Sequence, residues 1–93
     1  MTESTRRIME QILAVPKGRV SCYRDIARKA GFPNGARQTV RVLHSLAEKH
    51  NLPWHRIIRA DGSIALESQI KLLRAEGVGV SSDGKVDIKR FGM

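Results

Sequence analysis

The sequence predicts a mainly α-helical single domain, residues 1–93, with a winged-helix-like helix-turn-helix and one small β-ribbon. Three observations lead there. The chain has 93 residues, enough for one modest core and too few for a second independent domain. Apolar side chains recur at helical spacing in four separate segments. A Gly-containing turn joins the second and third of these, and an Asp-Gly pair sits between two short apolar runs.

From Ser4 to Val15, the residues Ile8, Met9, Ile12, Leu13 and Val15 share one side of a helix that Pro16 and Gly18 end. The Ser21 hydroxyl suits an N-cap, so a second, short helix is expected from there through Ile26 and Ala27 to Ala30, stopped by Gly31. Phe32-Pro33-Asn34-Gly35 has the chemistry of a tight turn. Ala36, Val40, Leu43 and Ala47 then give a third helix an apolar stripe, with Arg37, Arg41 and His44 on its other faces. Two helices joined this way, the second basic at its start, outline a helix-turn-helix, although many helical hairpins bind nothing. Ile57-Ile58 and Ile64-Ala65-Leu66, on either side of Asp61-Gly62, read as a two-stranded hairpin. Ser68 to Glu76, with Ile70, Leu72, Leu73 and Ala75, forms a fourth helix closed by Gly77. In the tail, Ser81-Ser82-Asp83-Gly84 is a turn, and the alternation of Val86 with Ile88 predicts one more short strand.

Charge narrows the function. Seventeen Lys and Arg against nine Asp and Glu give a net +8. The distribution says more. Between Lys17 and Arg59 there are ten basic residues and only Asp25 and Glu48 to oppose them, so this middle segment carries the whole excess. A confined positive excess is the footprint of a polyanion partner, whose counterions are released as phosphates are contacted. No apolar run is long enough to cross a bilayer, and Met1 to Arg7 is too polar for a signal peptide, so no membrane role is expected. A cytoplasmic protein follows, nucleoid-associated if bacterial. The lone Cys22 excludes an internal disulfide and argues against a cysteine-based metal site; no metal and no cofactor are expected.

Four separated motifs make the reading specific. They are Pro16-x-Gly18-x-Val20-Ser21-x-Tyr23-x-x-Ile26-Ala27, then Ala30-Gly31-x-Pro33-x-x-Ala36-Arg37, then Pro53-Trp54-His55-Arg56-Ile57-Ile58, and finally Leu72-Leu73-x-x-Glu76-Gly77. In this order and approximate spacing, from about Ile8 to Val78, they resemble the DNA-binding and active-site domain of O6-alkylguanine-DNA alkyltransferases. In those enzymes the third motif reads Pro-Cys-His-Arg, and the cysteine accepts the alkyl group. Here the residue is Trp54. That substitution marks the resemblance as one to the alkyltransferase-like proteins, which lack the acceptor and are understood to bind alkylated guanine and pass the lesion to nucleotide excision repair.

The chemistry agrees. Alkyl transfer needs a thiolate, formed when a histidine held by a carboxylate removes the proton. An indole offers only an N–H donor. Cys22 belongs to another motif and is read as a small core or helix-start residue.

The resemblance assigns further roles. Tyr23 matches the tyrosine that pushes the target phosphate and helps rotate the base out of the duplex, a step costing a few kcal/mol of unstacking. Arg37 matches the arginine that fills the vacated place in the stack. The third helix would enter the minor groove, where Gly35 and Ala36 permit close approach and Gln38 and Arg41 add contacts. Trp54 would line the base pocket, and His55, Arg56 and Glu76 would remain as a structural hydrogen-bonding set. The residues alone leave plainer readings open: a buried tyrosine, a phosphate-contacting arginine, a packing tryptophan.

The implied partners are double-stranded DNA containing O6-alkylguanine and nucleotide excision repair proteins, with the chain acting as a monomer. The sequence also departs from the enzymes. Their Asn-Pro pair upstream of the active-site motif is replaced by Leu46-Ala47-Glu48, and their Gly-Tyr-Gly-Gly type loop is missing, so Ser63 to Glu67 is expected to form a different pocket wall. The alternative from another class is a sequence-specific helix-turn-helix transcriptional regulator, for which the same basic segment would serve. A water-using enzyme built on His55 and Glu76 has no support beyond that pair.

Overall fold

In a computed structural model describing residues 2–64 and 66–93, α1 spans Glu3–Leu13. Thr2 starts it, its extended backbone letting Oγ1 accept from the Thr5 N–H at 3.2 Å. Ile8, Met9 and Ile12 are its buried face. Pro16, with no N–H to donate, prevents continuation.

The next element differs from the sequence expectation. Ser21 is not a helix cap; Ser21–Cys22 form a two-residue strand, β1, and α2 (Tyr23–Lys29) begins after it with Cys22 at the cap position and no side-chain capping bond. The run Val20-Ser21-Cys22 is buried, and burial of that backbone requires ladder partners that a cap would not supply. Its partner is β2 (Ile57–Ile58), in parallel register, Ser21 opposite Ile57 and Cys22 opposite Ile58.

The domain is mainly helical with a small two-stranded sheet, as the sequence predicts, but the hairpin around Asp61-Gly62 does not form. A turn is present, with the Gly62 N–H on the Arg59 carbonyl at 2.9 Å and Asp61 Oδ1 accepting from the Ser63 N–H and hydroxyl. Yet Ile58 pairs with Cys22 instead of returning on itself. Of the expected second strand, Ala65 lies outside the described residues, Ile64 only donates its N–H to Gly84, and Leu66 starts a helix.

Two residues of β2 face two cores, as strand alternation requires. Ile57 joins the larger cluster of Ile8, Met9, Ile12, Val15, Ile26, Ala30, Val42 and Leu52. Ile58 joins a smaller one with Val20, Leu73, Val78 and Val86. The second cluster is closed by α4 (Glu67–Ala75) and by the tail, where α5 (Ile88–Phe91) replaces the expected strand beyond an antiparallel bridge between Val80 and Val86. Asp87 redirects the chain by capping α5 through the Lys89 N–H. The Phe91 carbonyl then accepts from the Val20 N–H at 2.9 Å, fastening the tail to the strand.

The helix-turn-helix consists of α2, the turn at 30–35 and α3 (Ala36–Leu46). The apolar stripe of α3 borders both the core and a cleft. Thr39 and Val42 are buried, with the Thr39 hydroxyl on the Gly35 carbonyl; Val40, Leu43 and Ala47 line a cleft on the neighbouring face, and Leu43 and Ala47 also pack against the core. No helix among the described residues is long and apolar enough to cross a membrane.

Candidate nucleic-acid interface

The cleft is built by a sharp change of direction after α3. Asn51 takes a left-handed backbone conformation, φ 52°, which asparagine tolerates better than most side chains. The Leu52 N–H then reaches back to the Ala47 carbonyl at 2.9 Å, and Pro53 leads into a 3-10 turn over Trp54–Arg56. This brings Trp54 to an open cleft of about 940 Å³, whose other walls include Tyr23 at the start of α2 and Val40, Leu43 and His44 from α3. Trp54 and His55 meet edge to face, ring centroids 6.1 Å apart at 84°.

Behind the turn lies a polar knot. Glu76 Oε2 is 2.7 Å from His55 Nε2 and accepts from Arg56 Nη2 at 2.8 Å. Its Oε1 accepts from Arg56 Nε at 3.0 Å and from the Gly18 N–H at 3.3 Å. Arg56 Nη1 donates to the Val15 carbonyl at 3.1 Å. The Arg56 guanidinium first, then His55 and the Gly18 N–H, hold the Glu76 carboxyl down to about 2 against the opposing effect of burial. Glu76 is therefore an ionised anchor joining the segment after α1, the 3-10 turn and the end of α4.

Of the residues singled out from sequence, Tyr23, Trp54, His55 and Arg56 line the cleft, and Glu76 grips the last two from behind. The Tyr23 hydroxyl makes no hydrogen bond among the described residues. Arg37 and Arg41 are exposed on α3, outside the cleft lining. Arg37 lies one turn before Val40 and two turns before His44, and so on the cleft-facing side of the helix. Gln38 turns the other way; half-buried, it donates to Ser4 Oγ of α1 at 2.9 Å. Ala36 opens α3 and is half-buried. Gly35 has a packing reason for being small: a Cβ there would lie 3.0 Å from the Phe32 Cβ and carbonyl oxygen and 3.3 Å from the Ala27 Cβ. Of the expected wall at Ser63 to Glu67, Leu66 lines the cleft and Ala65 lies outside the described residues.

Sequence reasoning passed over His44 as a cleft residue, and also Leu13, Asn51 and Gln69, which line it as well. His44 and Leu13 stand in helical patterns whose phase shows only in the fold. Asn51 and Gln69 carry no motif.

Comparison with known proteins places these features in a family. Residues 3–78 match the family described as 6-O-methylguanine DNA methyltransferase, DNA binding domain. A DNA base-flipping protein of Escherichia coli is 41% identical over 91 residues, covering 92% of this chain and 70% of that protein. The solved structure of the Schizosaccharomyces pombe alkyltransferase-like protein in complex with damaged DNA containing O6-carboxymethylguanine superposes with a TM-score of 0.86 at 30% identity, over 100% of this chain and 96% of that one. The O6-methylguanine methyltransferase of Mycobacterium tuberculosis matches at a TM-score of 0.64 and 26% identity, over 98% of this chain and 56% of its own.

Proposed function

Since this chain belongs to the alkyltransferase-like proteins, within the family of the 6-O-methylguanine DNA methyltransferase DNA-binding domain, we propose that it recognises O6-alkylguanine by flipping the nucleotide and performs no covalent chemistry. The observation that carries the proposal is Trp54 in the cleft beside His55. The His55–Glu76 pair has the arrangement that activates a thiol, but the neighbouring side chain is an indole, whose nitrogen lone pair is delocalised into the ring and whose N–H only donates. The cleft then serves as a receptor.

In this reading α3 approaches the minor groove, Arg37 enters the stack as the nucleotide leaves it, and Tyr23 at the cleft wall presses on the backbone of the target. Arg41 contacts phosphate. The extruded guanine rests against Trp54, and its alkyl group meets the apolar side chains of Val40 and Leu43. O6-alkylation weakens pairing with cytosine, so a lesion leaves the duplex at lower cost than guanine does. The bound, unrepaired complex acts as a monomer that marks the site for nucleotide excision repair.

Binding to matched duplexes with guanine or O6-methylguanine at one position tests the proposal. Tighter binding to the methylated duplex is expected, independent of flanking sequence. Equal affinity would sink lesion recognition, and preference for one unmodified sequence would instead identify a transcriptional regulator.

A further inference from the structure

Gln69, in the first turns of α4, is only 7% exposed. Its Nε2 donates to two backbone carbonyls of the Trp54-bearing segment, His55 at 3.1 Å and Ile57 at 3.0 Å. Two acceptors at that position fix the amide's orientation, because Oε1 placed there would face two oxygens. Oε1 is thus directed away from the segment and has no partner among the described residues. No fully buried side-chain nitrogen or oxygen among them lacks a partner, so Oε1 retains an exposed surface, and Gln69 lines the cleft shared by Tyr23 and Trp54. A nearly buried amide therefore offers one unused acceptor to whatever enters.

An O6-alkylguanine has one matching group. Alkylation turns O6 into an ether and removes the N1 proton, leaving the exocyclic 2-amino group as the only donor on the pairing edge. We propose that Gln69 is a specificity-determining residue whose Oε1 accepts a hydrogen bond from this amino group while its Nε2 holds the Trp54 turn in place. The inference rests on the flipping mechanism proposed above. It makes the cleft a reader of the purine itself as well as of its alkyl group, because a base without the 2-amino group leaves a desolvated acceptor unsatisfied.

The test uses the full chain and three duplexes differing at one base: guanine, O6-methylguanine and 6-methoxypurine, which keeps the methoxy group and lacks the amine. The ratio of affinities for O6-methylguanine and 6-methoxypurine should be on the order of fivefold higher in wild type than in Gln69→Lys, the worth of one neutral hydrogen bond. Gln69→Lys keeps a donor for the two carbonyls and removes the acceptor. It should lower the ratio by that factor while leaving Trp54 emission and the melting temperature near wild type; comparing ratios cancels the added charge and any difference in extrusion between duplexes. Gln69→Leu, which loses both functions, should lower the ratio likewise and shift Trp54 emission. An unchanged ratio in Gln69→Lys would overturn the inference while leaving lesion recognition standing. If wild type binds guanine and O6-methylguanine equally, both fail.

Discussion

Arg56 clamps Glu76 with two guanidinium nitrogens, Nε at 3.0 Å from Oε1 and Nη2 at 2.8 Å from Oε2, and its third nitrogen is tied to the Val15 carbonyl. The side chains are 18% and 11% exposed, so the pair is largely withdrawn from solvent. Breaking it leaves a carboxylate desolvated with His55 and one N–H for company. Arg56→Met should destabilise the fold by roughly 3 kcal/mol, read as a lower midpoint in urea denaturation. A change within error of zero would show that the pair contributes no net stability.

The same contacts set a pH dependence. The folded Glu76 carboxyl titrates at about 2 against an ordinary value of 4.5. Between those values the unfolded chain binds a proton that the folded chain does not, so stability rises with pH. The contribution is fully present above about pH 4.5 and is lost as pH falls toward 2. Glu76→Gln should be less stable at neutral pH and show a flatter acid limb, measured by denaturation at intervals across that window. Parallel acid limbs in the two proteins would assign the pH dependence to other groups.

Gly35 is held small by its neighbours. Gly35→Ala would press a methyl group against Phe32 and Ala27 at the junction of α2 and α3. Crowding of this kind costs about 1–2 kcal/mol, and a lower melting temperature is expected. An unchanged value would mean that the turn yields to the added methyl group.

Arg37 and Arg41 separate by their readouts. Arg41→Ala should weaken binding to methylated and unmodified duplexes alike and reduce the slope of affinity against salt by about one. Arg37→Ala should weaken the methylated duplex more, because a stack-filling side chain acts only when a nucleotide has left. If the two substitutions reduce both affinities equally, Arg37 is a phosphate contact and nothing more.

How much of this was legible in the sequence depended on the range of the signal. Helices α1 to α4 followed from apolar spacing, with ends within a few residues, because Pro16, Gly31 and Gly77 act locally on the chain that carries them. The parallel pairing of Ser21–Cys22 with Ile57–Ile58 did not. A two-residue strand shows no alternation, and its partner lies 36 residues away, while Asp61-Gly62 advertised a nearer one. Short α5 was hidden because Val86 and Ile88 alternate as strand residues do, although Asp87 between them caps a helix. Within the site, the motif residues Tyr23, Trp54, His55 and Arg56 were readable, and the fold gathers them around one cleft. Gln69 was not, since a lone glutamine acquires a role only when folding brings two carbonyls within 3.1 Å of its amide. The surroundings of α3 were also hidden: the spacing of Val40, Leu43 and Ala47 marks one apolar stripe, and only the fold shows that it borders a cleft while Leu43 and Ala47 also pack against the core.

The central claim, recognition without repair, is tested most directly by following the methyl group itself. A duplex carrying isotopically labelled O6-methylguanine is incubated with excess protein, the complex is isolated, and the label is located after denaturation. All of the label should remain on the DNA of a complex that an unmodified competitor displaces poorly. Label on the polypeptide, at Cys22 or anywhere else, would contradict the account.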